Sequence, residues 1–402
     1  MNPVEHPGSR PRSSGGPAVP GPGGPAPSGL GAILPDGPDR PGGPGGPGGS
    51  GGPGGPGQDG LPGTPRKRRW PRVLAAVGVF ILLIALGTGG LIWQRQSSYN
   101  GNIDRLPGVM PTGKKRPGPN VTGTENWLLV GSDTRAEVGT TGEGGGRLWK
   151  PGAQRSDTLM LLHLPADRKK AYVISFPRDS WVQIPGYGPQ KINAAFSFGG
   201  PPLLIETVEN LTGIRIDHFG AIDFSGFKAM TDALGGVEVT IDRGSYDSAN
   251  KVRWEAGRQR LDGEQALLFV RQRYGLPNGD FDRIKRQQAF LRALASKAAE
   301  GGTITNPLKL DRFLSAMTKS ISVDDSVSAG KLRSLALSLR GVGPGDVTFL
   351  TAPYTGTGQR GSQSVVLLDK AKSQLLFQAV RQAEVDKYVQ QYGGANRVGT
   401  VS

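Results

Sequence analysis

The sequence predicts an α/β fold, an α-β-α sandwich with a mixed central sheet, preceded by a disordered tail and one transmembrane helix. From about residue 126 to residue 351, short apolar runs bounded by turn formers alternate with segments of helical spacing, as expected for buried strands and covering helices. A charge-free apolar run at 73–93 is long enough to cross a bilayer as a helix. Glycine and proline dominate residues 1–65, which cannot bury enough apolar surface to fold.

These features divide the chain into consecutive segments. Glycine occupies every third position from Gly42 to Gly63, which resembles collagen, but most of the positions directly after these glycines are also glycine, so we favour disorder over a triple helix. The proline-containing polar stretch before residue 124 is interpreted as a linker. The predicted segments are a disordered cytoplasmic tail at 1–65, a basic flank and transmembrane helix at 66–94, a juxtamembrane linker at 95–123, an extracytoplasmic folded domain at 124–390 and a C-terminal tail at 391–402.

The charges around the apolar run predict its orientation. Four basic residues, Arg66 to Arg69, precede it, and Trp70 and Trp93 lie at its ends, where amphipathic rings favour the membrane interface. Because basic residues stay on the cytoplasmic side, the tail is predicted inside and the domain outside a cell membrane that the chain crosses once. A cleaved signal peptide is the alternative, but the long tail, the long apolar run and the lack of an A-x-A site disfavour it.

Composition limits the chemistry. The sequence contains no cysteine, which excludes disulfides, zinc–thiolate sites and thiol nucleophiles. The histidines, His6, His163 and His218, are scattered, and His163 is predicted to be a satisfied core residue. A metal would therefore be held by oxygen, which favours Mg²⁺ or Mn²⁺. The net charge of +15 indicates an anionic partner, and the predicted export of the domain argues against nucleic acid.

Within the domain, the elements follow from periodicity and turn residues. Strands are predicted at 126–130, 158–164, 172–176, 216–224, 237–241 and 347–351. Helices are predicted at 191–196, 201–211, 225–234 and 280–299, with three more after residue 307. Gly199 and Gly200 separate the first two of these helices.

Charged residues gather where the first three predicted strands begin or end. Asp133 follows the first strand, Arg155 and Asp157 open the second, and Arg178 and Asp179 follow the third. Strand ends are where α/β sheets usually bind ligands. The carboxylates and arginines together suggest a metal bridged to an anionic oxygen ligand such as phosphate. Ion pairs at the surface of loop ends are the alternative.

Further cations come later in the chain. Arg271 and Arg273 follow an apolar run and are interpreted as lying at a strand end, on one side, with two solvated side chains as the alternative. Arg283 and Gln287 lie four residues apart on the predicted helix 280–299 and therefore project together. Lys191 begins a helix, where it either reaches phosphate or stays exposed.

A series of motifs occurs in a characteristic order. The motifs are GSDTR, RSDTLMLL, SFPRDSWVQIPG, KINAAFSFGGP, TVENLTGIRIDHF, DFSGFKAMTDALGGVEV, LDGEQALLFVRQR and DFDRIKRQQAFL. The series closely resembles the LytR-CpsA-Psr family of bacterial cell-envelope proteins, and the resemblance covers roughly residues 125–297. No motif that we can place extends beyond about residue 299.

The resemblance implies a magnesium-dependent phosphotransferase that moves a glycopolymer from a polyprenyl-pyrophosphate carrier onto peptidoglycan. It implies that Asp133 and Asp157 bind Mg²⁺, with Mn²⁺ as the substitute. It also implies catalytic roles for Arg178, Arg271 and Arg273. The implied pyrophosphate-binding residues are Arg155, Arg178, Arg271, Arg273, Arg283 and Gln287, to which we add Lys191. A lipid-linked substrate also needs an apolar groove, which we expect the helices at 196–211 and 227–234 to line.

Two other functions compete with this interpretation. A membrane-bound regulator of envelope gene expression would need a cytoplasmic output domain, and a Gly/Pro tail offers none. A non-catalytic module that binds carrier lipid would keep the arginines but could lose one of Asp133 and Asp157, and both are present. The sequence leaves the glycopolymer, the acceptor hydroxyl and the oligomeric state open.

Overall fold

The computed structural model describes residues 103–113, 116–134, 154–300 and 306–393. The predicted tail at 1–65 and the predicted transmembrane helix within 66–94 lie outside the described residues, as do residues 394–402 of the predicted C-terminal tail. Within the described part of the chain, no helix is both long enough and apolar enough to cross a membrane.

The strands and helices of the described residues are numbered here in chain order. The strands are β1 Asp104–Leu106, β2 Glu125–Thr134, β3 Gln154–Leu164, β4 Ala171–Ser175, β5 Trp181–Ile184, β6 Gly188–Lys191, β7 His218–Ile222, β8 Val237–Ile241, β9 Ser245–Asp247, β10 Val252–Trp254, β11 Gly257–Leu261, β12 Ile321–Asp324, β13 Val347–Thr351, β14 Tyr354–Arg360 and β15 Gln363–Leu368. The helices are α1 Ile192–Thr212, α2 Phe224–Ala233, α3 Gly263–Arg271, α4 Asp280–Glu300, α5 Pro307–Ser320, α6 Ala329–Ser338, α7 Lys370–Arg381 and α8 Val385–Tyr392.

The described residues contain a central sheet with the strand order β1-β12-β7-β2-β3-β4-β13. The pairs β1–β12, β7–β2 and β4–β13 are parallel, and the other neighbours are antiparallel. The predicted mixed central sheet is therefore confirmed. Four small two-stranded sheets are also described, formed by β5 with β6, β8 with β11, β9 with β10 and β14 with β15.

Helices cover both faces of the central sheet. On one face, Leu128 and Ile174 belong to a buried cluster with residues of α1, α7 and α8. On the other face, Trp127 and Val323 cluster with residues of α6, and Met160 and Val173 pack against Leu291 of α4. Successive residues of a strand point to opposite faces, so the neighbours Trp127 and Leu128 of β2 belong to clusters on opposite faces of the sheet.

The predicted break between two helices lies inside α1. Gly199 and Gly200 depart from helical geometry, and Gly200 has a φ of 64°, which glycine adopts without steric cost. Pro201 and Pro202 follow, and proline is well placed in the first turn of a helix because it has no N–H to satisfy. The local sequence therefore determines this kink.

Part of the segment predicted as a linker belongs to the folded domain. Asp104–Leu106 forms β1, the edge strand that pairs with β12, and Ile103 is buried. Arg116 makes bidentate contacts with the buried carboxylate of Glu209, the shortest at 2.6 Å. The prediction of a linker throughout 95–123 therefore needs correction. Its polar, proline-containing sequence carries too few apolar residues to show a strand period, and a distant strand supplies the pairing.

The described chain after residue 300 contains more helices and strands than predicted. The strand at 347–351 matches β13, but four helices, α5 to α8, are described there where three were predicted. β12, which completes the central sheet between β1 and β7, was not predicted. It is only four residues long, so it carries too little periodicity to be recognised.

The buried histidine of β3 makes stability depend on pH. His163 donates from Nδ1 to Asn126 Oδ1 at 2.7 Å, which leaves Nε2 buried without a partner among the described residues. Burial, reinforced by the charge of Arg168, lowers the pKa of His163 from 6.5 to about 4. Between pH 6.5 and pH 4 the unfolded chain therefore binds a proton at this histidine that the folded chain does not bind. The contribution of His163 to the free energy of unfolding is complete above pH 6.5 and decreases as the pH falls towards 4.

We expect this histidine to cost about 2 kcal/mol of unfolding free energy between pH 7.5 and pH 5. Urea unfolding of the full chain and of its His163→Gln variant at both pH values measures the effect. Glutamine can still donate to Asn126 but does not titrate, so the variant should lose less stability over this range. Equal losses in both proteins would contradict the assignment.

Candidate functional site

A β-bulge presents the first acidic residue of the site. Gly131 pairs with Thr158 and Ser132 pairs with Ser156, so Asp157 is the extra residue between them. A bulge bends its strand and redirects a side chain. The Asp157 carboxylate accordingly lies against Arg178, in the turn that follows β4.

Asp133 and Arg155 lie opposite each other in the register of β2 and β3. Only the backbone of these two residues is described. The predictions that Asp133 binds a metal and that Arg155 binds pyrophosphate therefore stay predictions. Their backbone positions lie directly beyond the bulge at Asp157.

Arg178 connects the acidic residues of the site. Its Nη1 donates to Asp157 Oδ1 at 2.5 Å, and its Nε lies 3.6 Å from Asp280 Oδ1 and 3.8 Å from Asp179 Oδ2. Burial disfavours the charged form, but Asp157, Asp280 and Asp179 outweigh burial and raise the pKa of Arg178 above its ordinary value. A fixed, permanently charged guanidinium therefore faces the site.

Asp280, which the sequence analysis did not select, lies among the arginines of the site. Its Oδ1 is 2.7 Å from Arg283 Nη2, 3.4 Å from Arg273 Nε and 3.6 Å from Arg178 Nε. The sequence carries one local signal for it, because Asp280 begins α4 one turn before Arg283. The contacts with Arg178 and Arg273 come from distant segments and could not be predicted locally.

Arg283 and Gln287 project together from α4, as their spacing predicted. The Arg283 side chain is only 5% exposed, and this burial lowers its pKa to about 10, an effect that Asp280 partly offsets. Arg283 therefore stays charged at neutral pH. Gln287 donates from Nε2 to the carbonyl of Val270 at 3.4 Å, which orients the amide beside the end of α3.

The interpretation of Arg271 and Arg273 as residues at a strand end is wrong. Residues 263–271 form helix α3, which begins with a capping box between Asp262 and Gln265. Arg271 is its last residue, with its guanidinium 4.1 Å from the ring centre of Phe224. Arg273 lies just beyond the helix and reaches Asp280. A short apolar run fits a buried strand and a buried helix equally well, and here the capping box decides for helix.

A buried arginine holds the turn that carries these two cations. Arg286 is fully buried and donates to Gln272 Oε1 at 2.6 Å, and Gln272 donates to the carbonyl of Tyr274 at 2.8 Å. Gly275 has a φ of 77°, and a Cβ there would come within 2.0 Å of the Tyr246 carbonyl oxygen. The contacts of Arg286 and Gln272, and the close packing at Gly275, thus restrict the backbone that carries Arg271 and Arg273.

Lys191 lies beside a carboxylate rather than standing alone at the surface. It precedes α1, is neither buried nor fully exposed, and lies with Nζ 3.2 Å from Asp179 Oδ1. The structure thus pairs Lys191 with a carboxylate beside Arg178. A role in binding pyrophosphate stays a prediction.

A large cavity, which we call the apolar groove, opens at these charges. It has a volume of about 690 Å³ and lies between the central sheet and helices α2, α4, α5 and α6. Its apolar lining includes Leu129, Met160, Phe227, Met230, Leu294 and Met317. Its lining also contains Asp223 and a group of polar residues that we call the mouth, namely Asp157, Arg178, Arg271, Arg273, Arg283 and Gln287.

Of the two helices that we expected to line an apolar groove, one lines this groove and the other does not. Phe227 and Met230 of α2 line it, as expected for the helix at 227–234. The helix at 196–211 lies on the opposite face of the sheet, where Leu204 and Val208 pack against Leu128. Helical spacing identifies an apolar face but not the side of the sheet that it covers.

The donors at the mouth are compatible with a magnesium ion. Among the residues whose side chains are described, no three acidic or histidine side chains cluster to hold a metal. A magnesium ion bound to phosphates needs only one or two protein carboxylates, because phosphate oxygens and water complete its shell. Asp157 supplies a carboxylate at the mouth, and Asp133 lies on the adjacent strand. Asp157 and Asp133 are therefore suitable ligands for a magnesium ion that also binds phosphate.

The arrangement suits an amphiphilic anion. Arginine's planar fork matches phosphate oxygens, and several guanidinium groups meet at one end of an apolar groove. Asp280 and Asp157 hold these cations in place without a ligand. A chain-like apolar tail and a phosphate-containing head would both be accommodated.

The chain is similar in sequence to bacterial cell-wall proteins. The chain is 40% identical over 267 residues to a Corynebacterium glutamicum protein named probable cell wall biosynthesis protein LcpB, covering 65% of this chain and 62% of that protein. It is 30% identical over 276 residues to an Enterococcus faecalis polyisoprenyl-teichoic acid–peptidoglycan teichoic acid transferase, TagU, covering 67% of this chain and 84% of that protein.

A solved structure shares the fold. The crystal structure of Bacillus subtilis TagV superposes with a TM-score of 0.54 at 27% identity, covering 66% of this chain and 98% of that one. A model of the LytR_cpsA_psr family matches residues 97–381, which is more than half of the chain. This protein therefore belongs to the LytR_cpsA_psr family.

Proposed function

We propose that this protein is a membrane-anchored, magnesium-dependent phosphotransferase that attaches a glycopolymer from a polyprenyl-pyrophosphate carrier to peptidoglycan. The names of its relatives, a cell wall biosynthesis protein and a teichoic acid transferase, support a cell-wall glycopolymer transferase. The observation that carries the finer proposal is the apolar groove of about 690 Å³ that ends in a cluster of guanidinium groups.

The groove supplies the binding energy for the carrier lipid. Burial of hydrocarbon contributes about 0.8 kcal/mol per CH₂ group, so a polyprenyl chain lying along Leu129, Met160 and Met230 would be held strongly. The tail then places the pyrophosphate at the groove's mouth. A free sugar phosphate would leave most of this apolar lining unused.

The arginines at the mouth act on the pyrophosphate. Transfer spreads negative charge over phosphate oxygens, and Arg178, Arg271 and Arg273 are positioned to stabilise that charge. Asp280 and the Gln272–Arg286 contact fix these cations beforehand, so little reorganisation is needed during the reaction. Arg283 and Gln287 orient the bound diphosphate from α4.

Asp157, with Asp133, would hold the magnesium ion beside the diphosphate. When bound, magnesium supplies neutralising charge to the phosphate oxygens. The protein's own contribution is the pairing of Asp157 with Arg178, which sets the metal-binding carboxylate and the phosphate-binding cation side by side.

We also propose the location that the sequence predicts, with a single-pass anchor at 73–93, the tail in the cytoplasm and the domain outside the membrane. The basic residues from Arg66 to Arg69 support this orientation. An epitope at residue 20 that survives protease treatment of intact spheroplasts, while the domain is digested, would support it. The opposite result would reverse the orientation.

Lipid that co-purifies with the full chain tests the substrate class. Mass spectrometry of the detergent-extracted protein should find a polyprenyl phosphate or pyrophosphate. In a Met230→Trp variant the added bulk fills part of the groove, so we expect less bound lipid and a raised KM for a lipid-linked donor. Binding of inorganic pyrophosphate should not change, because the mouth is intact.

The matched control is Leu337→Trp, which adds the same bulk at an exposed position of α6 outside the groove lining. It should retain wild-type lipid content. Equal lipid content in Met230→Trp and wild type would contradict the assignment of the groove.

A further inference from the structure

A second cavity, which we call the polar cleft, adjoins the arginines. It has a volume of about 740 Å³, and among the described residues Arg178 and Arg273 are the two that line both it and the apolar groove. These two side chains therefore separate the cavities. Asp179, Lys191 and Asp280 line only the polar cleft, whereas Asp157 and Arg283 line only the groove.

The lining of the polar cleft differs from that of the groove. Its walls carry the amide and hydroxyl side chains of Gln190, Asn193, Asn278, Gln363 and Ser364. Such groups exchange hydrogen bonds with neutral hydroxyl and acetamido groups, which a lipid tail does not possess. The cleft is therefore suited to a ligand that carries hydroxyl and acetamido groups rather than to hydrocarbon.

Two aromatic residues that line the cleft each stack on a tyrosine. Phe198 lines it and stacks on Tyr187 with ring centres 4.6 Å apart. Phe281 lines it from α4 and stacks on Tyr354 at 4.3 Å. Phe198, Tyr187 and Tyr354 are exposed. Aromatic faces attract the weakly positive C–H groups of a pyranose ring, and the amides nearby can bind its hydroxyls. The combination fits a chain of sugars.

The geometry of phosphoryl transfer indicates which sugar chain binds in the polar cleft. In phosphoryl transfer the attacking and leaving oxygens lie roughly in line with the phosphorus. The proposed leaving group is the polyprenyl phosphate, whose tail occupies the apolar groove. The attacking hydroxyl must then approach from the opposite side of Arg178 and Arg273, which is the polar cleft.

We infer that the polar cleft binds the acceptor, a peptidoglycan glycan strand, and presents one of its hydroxyls to the diphosphate. This inference rests on the proposed function. The acceptor oxygen forms a bond to the phosphorus that carries the glycopolymer, and the bond from that phosphorus to the bridging oxygen breaks. Polyprenyl phosphate leaves with that bond's electron pair. The hydroxyl proton passes to the carboxylate of Asp179, which lines the cleft beside Lys191.

Direct binding of a glycan fragment tests the inference without requiring turnover. Calorimetric titration of the full chain in detergent with a tetrasaccharide of alternating N-acetylglucosamine and N-acetylmuramic acid gives its Kd. Phe198→Ala and Gln363→Ala should each raise this Kd by about tenfold, the factor that corresponds to one lost contact of about 1.4 kcal/mol. In a transfer assay the same variants should raise the KM for the glycan acceptor.

The matched control is Tyr392→Ala, which removes an exposed aromatic ring of α8 that contacts Tyr388 and lies outside the cleft lining. It should bind the tetrasaccharide like wild type. Absence of tetrasaccharide binding, or equal affinity in all four proteins, would overturn the inference, as would a raised KM for the donor alone. Wild-type protein that binds the glycan through Phe198 but never cleaves a lipid-linked donor would support the cleft and overturn the proposed function.

Discussion

Replacement of Arg178 by lysine is expected to lower the kcat of glycopolymer transfer by about 100-fold or more. The Arg178 guanidinium contacts Asp157 at 2.5 Å, lies 3.6 Å from Asp280 and faces both cavities. Lysine keeps the charge but lacks the planar fork, so one ammonium cannot hold both carboxylates and a phosphate oxygen. The measurement is kcat with a lipid-linked donor at saturating magnesium.

The control for this substitution is Arg258→Lys on β11. Arg258 also pairs with a carboxylate, Glu238, at 2.5 Å, but both side chains are exposed and lie outside the linings of both cavities. Because exposed ion pairs contribute little, this variant should turn over like wild type. A wild-type kcat for Arg178→Lys would show that charge alone is needed at this position.

Replacement of Asp280 by asparagine is expected to lower the free energy of unfolding by about 3–5 kcal/mol, the usual cost of unpairing a buried charge. Asparagine keeps the size of the side chain but leaves the buried guanidinium of Arg283 beside Arg273 and Arg178 without its carboxylate. Added inorganic pyrophosphate should restore part of the loss, because an anion bound among these cations replaces the missing charge.

Urea unfolding of the full chain with and without pyrophosphate measures this effect. Asp282→Asn is the matched control, since Asp282 is another carboxylate of α4, is buried, and contacts Asn278 and Lys285 instead of the arginines. The control should be destabilised without gaining more from pyrophosphate than wild type does. If pyrophosphate stabilises Asp280→Asn no more than the control, Asp280 is not the residue that balances the anion-binding cations.

Together these substitutions separate two tasks at one site. Arg178 contacts the proposed substrate and should affect turnover. Asp280 holds Arg178, Arg273 and Arg283 in place and should affect both stability and the benefit of a bound anion. The opposite pattern, with a stable but inactive Asp280→Asn, would indicate that Asp280 contacts substrate directly.

Features that depend on neighbours along the chain can be predicted from the amino-acid sequence. The apolar runs of β2 and β4, the glycine–proline kink in α1 and the projection of Arg283 with Gln287 from α4 follow from periodicity and from the backbone preferences of glycine and proline. The ordered sequence motifs alone also indicate the family. Each of these signals lies within a few residues of the feature that it predicts.

The contacts between segments that are distant in the chain follow from the packing of the folded domain and not from any local pattern. Asp280 gains Arg178 as a partner because α4 packs near the end of β4, and no local pattern encodes that distance. The groove is covered by α2, α4, α5 and α6 rather than by α1, because an apolar helical stripe fits either face of a sheet. The side of the sheet, and with it the separation of the groove from the polar cleft, is selected by the packing of the whole domain.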